Sequence, residues 1–305
     1  GGGPWRGLSV CDPQRLGVMK RLLNDIGARL ERGEIGALEA VTLAVEAMED
    51  EPLFNAGRGS VLDEHGRVGM DASIMRGEDG AAGAVIGLTA TRHPVRAAQR
   101  LLLQGWPVML AGPPADDFAQ QHEVEQMATS WFETDLRKAQ WQKWKAQRLR
   151  PGATDEEDAL LDHDGEEEGW GTVGAVALDV NGRLAAATST GGMTGKPLGR
   201  VGDTPVIGAG TWADPVVAVS CTGVGEAFIR TVAAHSVSVH HREGGLEEAA
   251  SKVLDEVEPL GGRGGLIAVN TNGEVVMPFR TMLMYRGKYA NGTVHVGIGP
   301  EFIQS

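Results

Sequence analysis

Residues 169–190 read GWGTVGAVALDVNGRLAAATST. Residues 173–180 are small and apolar, and Asn181-Gly182 is the pair that a two-residue hairpin turn favours, because both central positions of that turn need positive φ. Residues 183–189 then return as a second apolar run. Two joined apolar strands mean antiparallel pairing in a sheet covered on both faces. Upstream lies the opposite character. DEEDALLDHDGEEE (155–168) carries nine acids and no Lys or Arg, so about residues 151–170 have the composition of a disordered linker. Gly171-Thr172 sits on the border between the two.

The chain has 305 residues, 42% hydrophobic and 23% charged, enough for one large or two medium folded units with a real core. Its formal charge of −13 is concentrated in the acidic run, which leaves the rest near neutral. A nucleic-acid binder would need a basic face, so nucleic acid is not an expected partner. No apolar run approaches a membrane span, so a membrane is not one either. Two cysteines argue against a disulfide framework and make a reducing compartment, the cytoplasm, the default. The scattered histidines lack metal-ligand spacing and read as surface residues.

Outward from the hairpin, helices are expected at 14–32, 36–48, 94–103, 225–240 and 246–257, from apolar residues at three- and four-residue steps. Strands are expected at 83–88, 107–110 (buried), 205–212 and 215–222, and a further hairpin at 266–278 around Thr271-Asn-Gly273. Residues 116–150 are polar and helical. Their basic end, with Trp141 and Trp144 three apart, reads as a docked surface helix in preference to a membrane-surface or calmodulin-type helix. The sum is a layered α/β protein with mainly antiparallel sheets.

Chemistry points to threonine. No G-x-S-x-G elbow occurs, but Thr172, Thr190 and Thr222 each lie at a strand end beside glycine, in GTVG, STGG and CTGVG. A Thr hydroxyl is a poor nucleophile until a base sits next to it, and an α-amino group with a pKa of about 7.7–8.0 is close to ideal for that role. Cutting Gly171-Thr172 would give Thr172 its own base. Gly171 permits the strained backbone that an attack on the preceding carbonyl needs. On spacing alone the same pair also reads as the plain start of a strand.

The segments EDEPLFNAGRGSV, MDASIM, GTVGAVALDVNGRLAAATSTGGMTGKPLGRVGDTPVIGAG, SCTGVGEAFIR, LGGRGGLIAV and MYRG resemble the plant-type asparaginase and isoaspartyl peptidase family of N-terminal nucleophile hydrolases, over residues 33–287. The resemblance implies a four-layer αββα sandwich. It also implies self-cleavage into an α chain (1–171) and a β chain (172–305), assembled as (αβ)2. Thr172 would be the nucleophile and Thr190 its orienting partner. Arg200 would take the substrate's α-carboxylate and Asp203 its α-ammonium group. The Thr222 hydroxyl and Gly223 N–H would form the oxyanion hole, and Gly225 would let backbone approach the substrate. Taken by themselves, Arg200 and Asp203 read as a surface ion pair. Backbone carbonyls of Met48, Glu49, Glu51, Phe54, Ala56 and Arg58 would hold a structural sodium ion; no cofactor is implied for the chemistry. The expected substrates are small: β-aspartyl dipeptides and L-asparagine.

The chain departs from the family pattern in three places. It begins GGGPWRG, without the family's first strand and its His-Gly-Gly-Ala motif. Gly69 replaces an acid. Arg280, Met282 and Leu283 stand where Asn, Glu and Gly are usual. These departures bear on substrate preference and activity level. Three rival readings are a glycosylasparaginase-like amidase, an unprocessed relative serving as a scaffold, and a nucleotide binder suggested by VSCTGVGEAFIR.

Overall fold

The computed structural model describes residues 12–149 and 171–299, with the backbone of 303–304. The expected acidic linker and the start of the chain, where a first strand was expected to be missing, both fall outside the described residues. The chain begins with α1 (Pro13–Glu31), α2 (Ala37–Asp50), β1 (Met70–Arg76), β2 (Ala82–Leu88), α3 (Pro94–Gln104) and β3 (Met109–Ala111). It continues with α4 (Pro113–Gln121), α5 (Thr129–Phe132) and α6 (Asp135–Arg148). After residue 171 come β4 (Val173–Leu178), β5 (Leu184–Thr190), β6 (Thr211–Ala213), β7 (Val217–Gly223), α7 (Gly225–Thr231), α8 (Ala233–His241), α9 (Leu246–Val257), β8 (Gly264–Asn270), β9 (Val275–Val276), β10 (Arg286–Ala290), β11 (Thr293–Gly297) and β12 (Ile303–Gln304).

The opening hairpin forms, but not through the two-residue turn expected at Asn181-Gly182: of that pair only Gly182 takes a positive φ (+75°), and Gly182 N donates to Asp179 O at 2.9 Å, so the turn runs from Asp179 to Gly182. β4 and β5 pair antiparallel from Val173 opposite Ser189 to Leu178 opposite Leu184. Asp179 closes the turn, accepting from the N–H groups of Asn181 (2.9 Å) and Arg183 (3.1 Å). Its other oxygen accepts from Ala37 N at 3.1 Å, so the same carboxylate satisfies a free donor at the start of α2. Among the described residues the hairpin closes a five-stranded sheet, ordered β3-β2-β1-β5-β4, and β4 is its edge. A second sheet is ordered β6-β7-β8-β9 and a third β10-β11-β12. Every pairing is antiparallel except β2 with β3.

Helices α2 and α3 pack on the first sheet and α8 and α9 on the second, while β4 and β5 meet β7 and β8 across the space between. Apolar contact there comes from Met75, Leu184, Ala186, Ala213, Ala218 and Val269. Beside them lies a buried group of hydroxyls. Ser73 donates to Thr204 O (2.6 Å) and lies 2.8 Å from Thr211 Oγ1, and Thr188 Oγ1 is 2.5 Å from Thr211 Oγ1 and 2.8 Å from Ser220 Oγ. The hydroxyls of Ser73, Thr188, Thr211 and Ser220 each have a partner, which is the condition for burying them cheaply, whereas the buried Thr204 hydroxyl has none among the described residues.

Several expectations are corrected. The strand at 205–212 shrinks to Thr211–Ala213, because the backbone of Asp203 accepts from Val206 N and Gly210 N and coils the residues between. The helix at 225–240 breaks at Val232, which takes a left-handed φ of +49°. The short strand near 107–110 is an exposed edge and not a buried strand, since Met109 is 40% exposed. The hairpin of β10 and β11 was not anticipated, although Asn291-Gly292 (φ +50° and +72°) is the same turn signal as Asn181-Gly182.

Candidate active site

Antiparallel pairing puts the start of β4 beside the end of β5. Thr172 therefore faces Thr190, and its hydroxyl donates to Thr190 Oγ1 at 3.4 Å. Thr190 Oγ1 also accepts from Gly192 N at 3.0 Å, which fixes its lone pairs relative to the neighbouring loop. From the second sheet, Thr222 and Gly223 arrive at the end of β7. A Cβ placed on Gly171 would lie 3.0 Å from Thr222 Oγ1, so that hydroxyl sits against the Gly171-Thr172 peptide. Thr172, Thr190, Arg200, Asp203, Thr222 and Gly223 all line one cavity of about 550 Å³. The cavity continues along the free edge of β4 towards α1 and β10. The structure thus brings together the expected nucleophile, its partner, the oxyanion donors and the clamp residues.

Arg200 and Asp203, the residues expected to hold the substrate's ends, are not a pair. Arg200 forms a two-pronged ion pair with Glu226, Nε to Oε1 at 2.9 Å and Nη2 to Oε2 at 2.8 Å. Glu226 was missed in the sequence, yet it begins α7 directly after CTGVG, where its position beside the clamp follows from the strand-turn-helix order. Asp203 is buried, and its Oδ2 has no hydrogen-bond partner among the described residues. Burial pushes its carboxyl up to about 7, against the pull of Arg200 and with Glu226 adding to the rise. An ammonium group brought to that carboxylate would remove the penalty. Gly225 does not face open cavity: a Cβ there would come within 2.9 Å of Asp203 N and 3.0 Å of Asp203 Oδ1, so this glycine makes room for Asp203. Cys221, one residue before Thr222, is buried, and burial holds its thiol well above the ordinary range, which makes it inert.

Behind the site, Lys196 and Asp71 are both buried. The Lys196 ammonium donates to Gly69 O at 2.7 Å, and burial lowers its pKa despite Asp71. Asp71, opposite Thr190 in the β1–β5 ladder, accepts from Gly87 N at 2.8 Å and is raised by burial. The backbone of Gly69 thus serves the lysine where an acidic side chain was expected. Of the other departures, Leu283 lines the cavity with Thr281, Met282 is 42% exposed, and Arg280 pairs with Asp255 at 2.8 Å.

His93 corrects the expectation that the histidines are surface residues. It is buried, with Glu49 at 3.7 Å, Asp50 at 3.7 Å and Glu46 at 3.8 Å. Burial alone would lower its pKa, but these carboxylates raise it. Glu49 accepts from Ser189 Oγ (2.6 Å) and Val95 N (3.0 Å), tying α2 to the strand that carries Thr190. After α2 the backbone packs closely on itself, with the Met48, Glu51 and Ala56 carbonyls accepting from Glu51 N, Phe54 N and Gly59 N. A Cβ on Gly57 would collide with the Glu49 carbonyl, and one on Gly59 with the Phe54 carbonyl. Backbone carbonyls are hard oxygen donors, the kind of ligand that suits an alkali ion. The nucleotide reading fails on topology, because β7 runs antiparallel to both neighbours and no parallel βαβ unit surrounds the glycine turn.

Residues 13–298 match the family model described as asparaginase, so the chain belongs to the asparaginase family. Among curated relatives, it is 47% identical over 281 residues to the isoaspartyl peptidase of Escherichia coli (strain K12), covering 89% of this chain and 84% of that one. It is 37% identical to the isoaspartyl peptidase/L-asparaginase of Xenopus laevis (93% and 88% covered) and 38% identical to that of Homo sapiens (90% and 87% covered).

Proposed function

We propose that this chain is a self-processing amidohydrolase that cleaves β-aspartyl dipeptides and the side-chain amide of L-asparagine. The observation that carries the reading is the convergence of Thr172, Thr190, Thr222, Arg200 and Asp203 on one cavity wall. The names of the relatives support the substrate class. In maturation the Thr172 hydroxyl attacks the Gly171 carbonyl carbon. The peptide C–N bond breaks with the proton passing to nitrogen, and the resulting ester is hydrolysed. The products are an α chain (1–171), ending in the linker at about 151–170, and a β chain (172–305) with a free Thr172 amine.

In turnover that amine accepts the hydroxyl proton while Oγ1 attacks the substrate's β-carbonyl carbon. Thr190 holds Oγ1 in line. The Thr222 hydroxyl and Gly223 N–H donate to the developing oxyanion, each worth about 3–4 kcal/mol in comparable sites. The leaving nitrogen takes the proton, and water then attacks the β-aspartyl ester to return the enzyme. Arg200 takes the α-carboxylate through guanidinium donors left over from Glu226, and Asp203 takes the α-ammonium.

The same reading includes an αββα sandwich, with the sheets as the inner layers and the helices outside, and an (αβ)2 assembly. Among the described residues β4 has no outer partner, and a further strand of that fold would pair there. The carbonyls of Met48, Glu49, Glu51, Phe54, Ala56 and Arg58 would hold a structural sodium ion; its role is to fix the loop, not to take part in the reaction.

The test is intact mass under denaturing conditions with N-terminal sequencing. Two pieces, one beginning Thr-Val-Gly-Ala, with hydrolysis of β-aspartyl dipeptides and an uncut, inactive Thr172→Ala variant, are expected. A chain that stays whole on incubation, or a Thr172→Ala variant that keeps activity, overturns the reading.

A further inference from the structure

Helix α6 is built to dock. Thr134 caps it, accepting from Arg137 N at 3.2 Å, and Arg137 is buried with its guanidinium on Gly59 O and Gln140 Oε1. Two tryptophans one turn apart then reach two different loops. Trp141 donates from Nε1 to Asp63 O at 2.8 Å, and its ring covers Gly66, where a Cβ would come within 3.1 Å. The Trp144 indole lies directly on Gly195, so closely that a Cβ there would collide with three ring atoms.

Gly195 belongs to the loop that joins Thr190 to Arg200. Four of residues 191–200 are glycine, so the free loop has unusual backbone freedom to lose. The loop is laced to the turn beneath it: Gly195 N donates to Leu62 O (2.8 Å), Glu64 N to Lys196 O (3.0 Å) and Leu198 N to Glu64 Oε1 (2.9 Å). Trp141 holds that turn and Trp144 holds the loop itself. Beyond it, Arg200 N donates to Pro197 O at 3.0 Å, and the clamp follows.

We propose that Trp144, backed by Trp141, is a positioning residue for the substrate clamp. It selects the loop conformation in which Arg200 meets the substrate's α-carboxylate. The inference rests on the proposed function for Arg200 and extends it to a helix that makes no contact with substrate. Nothing in self-cleavage requires the clamp, since Gly171, Thr172, Thr190 and Thr222 come from strand ends. The start of the loop, where Gly192 N reaches Thr190, is anchored apart from the indole by Asn55, whose Nδ2 donates to Gly192 O (2.7 Å) and whose O accepts from Gly191 N (3.1 Å), so loss of the indole lowers the fraction of enzyme with a competent clamp and leaves the nucleophile intact. If that fraction falls to about a tenth, apparent KM rises about tenfold with kcat unchanged.

The experiment compares the wild type with Trp144→Ala and Trp144→Phe on L-asparagine and on asparagine amide, in which the α-carboxylate is capped. The expected result for Trp144→Ala is complete self-cleavage, kcat near the wild-type value and a KM for L-asparagine raised about tenfold. On asparagine amide, kcat/KM should differ from the wild type by less than about twofold, because the clamp has nothing to grip. Trp144→Phe keeps an aromatic face on Gly195 and should recover most of the KM. An unchanged KM in Trp144→Ala with an active wild type overturns this inference alone, as does an equal loss on both substrates or a loss that Trp144→Phe does not reduce. A wild-type protein that hydrolyses neither L-asparagine nor a β-aspartyl dipeptide overturns the proposed function beneath it.

Discussion

Replacing Asp203 with asparagine removes a charge that the fold holds at a disadvantage. The carboxyl moves from 3.8 to about 7 on folding, chiefly through burial. For an acid whose folded pKa is raised, stability is fullest below the unfolded pKa and is lost as pH rises through the folded one. Across that window the loss amounts to roughly 4 kcal/mol, at about 1.4 kcal/mol per pH unit, complete above pH 7. Asparagine has no such dependence. The melting temperature of Asp203→Asn relative to the wild type should therefore climb between pH 4 and 7 and then level. At roughly 2 °C per kcal/mol for a chain of this size, the climb is about 8 °C. The assay is thermal unfolding of both proteins over pH 4–8, paired with calorimetric binding of L-aspartate. For the wild type, binding of an α-ammonium ligand should weaken about tenfold for each pH unit below 7, as the proton on Asp203 must first leave. A melting difference flat in pH, or one that falls as pH rises, would refute the argument from burial.

In the seam between the sheets, Thr188→Val leaves the Ser220 hydroxyl without its 2.8 Å partner, and urea unfolding should register a loss of about 1–3 kcal/mol. Glu226→Ala frees Arg200 from its two-pronged partner. Stability should change by under about 1 kcal/mol because Glu226 is mostly exposed, while the KM for L-asparagine rises several-fold in steady-state assays. Asp214 would be raised by burial, but hydrogen bonds from Ser238 Oγ and from the N–H groups of Val216 and Val217 bring it down to about 2. An acid so depressed contributes stability above pH 3.8 that is lost as pH falls towards 2. Asp214→Asn should therefore unfold at a less acid-dependent midpoint than the wild type.

What was legible in the sequence was whatever local chemistry decides. Asn181-Gly182 marks where its hairpin reverses, although the carboxylate of Asp179 closes a longer turn than the pair predicts, and the strand-end position of Thr172, Thr190 and Thr222 follows once the strands are placed. Features set by distant partners were not legible. Val232 breaks a helix in a conformation that its β-branched side chain disfavours, and the cause lies in packing on Gly208 and Ala209, whose carbonyls accept from His235 N and Ala234 N at the start of α8. His93 reads as surface because its carboxylates come from α2, more than forty residues earlier. Arg200 and Asp203 are three residues apart and invite pairing, yet the coil at 203–210 turns Asp203 into the cavity wall and leaves Arg200 to Glu226. The docking of α6 was the expected reading of Trp141 and Trp144; the glycines beneath them were not foreseeable from periodicity.

A freshly cut chain end normally frays, because nothing restrains its last few residues. Here the ladder of β4 begins one residue after the proposed cut, with Val173 already opposite Ser189. A severed Thr172 would have little more than its own backbone torsions to explore. Fixing one residue costs about 1–2 kcal/mol in backbone entropy, and that cost is met when the uncut hairpin folds instead of at each turnover. The terminus would be born immobile, a chain end with the rigidity of a chain interior.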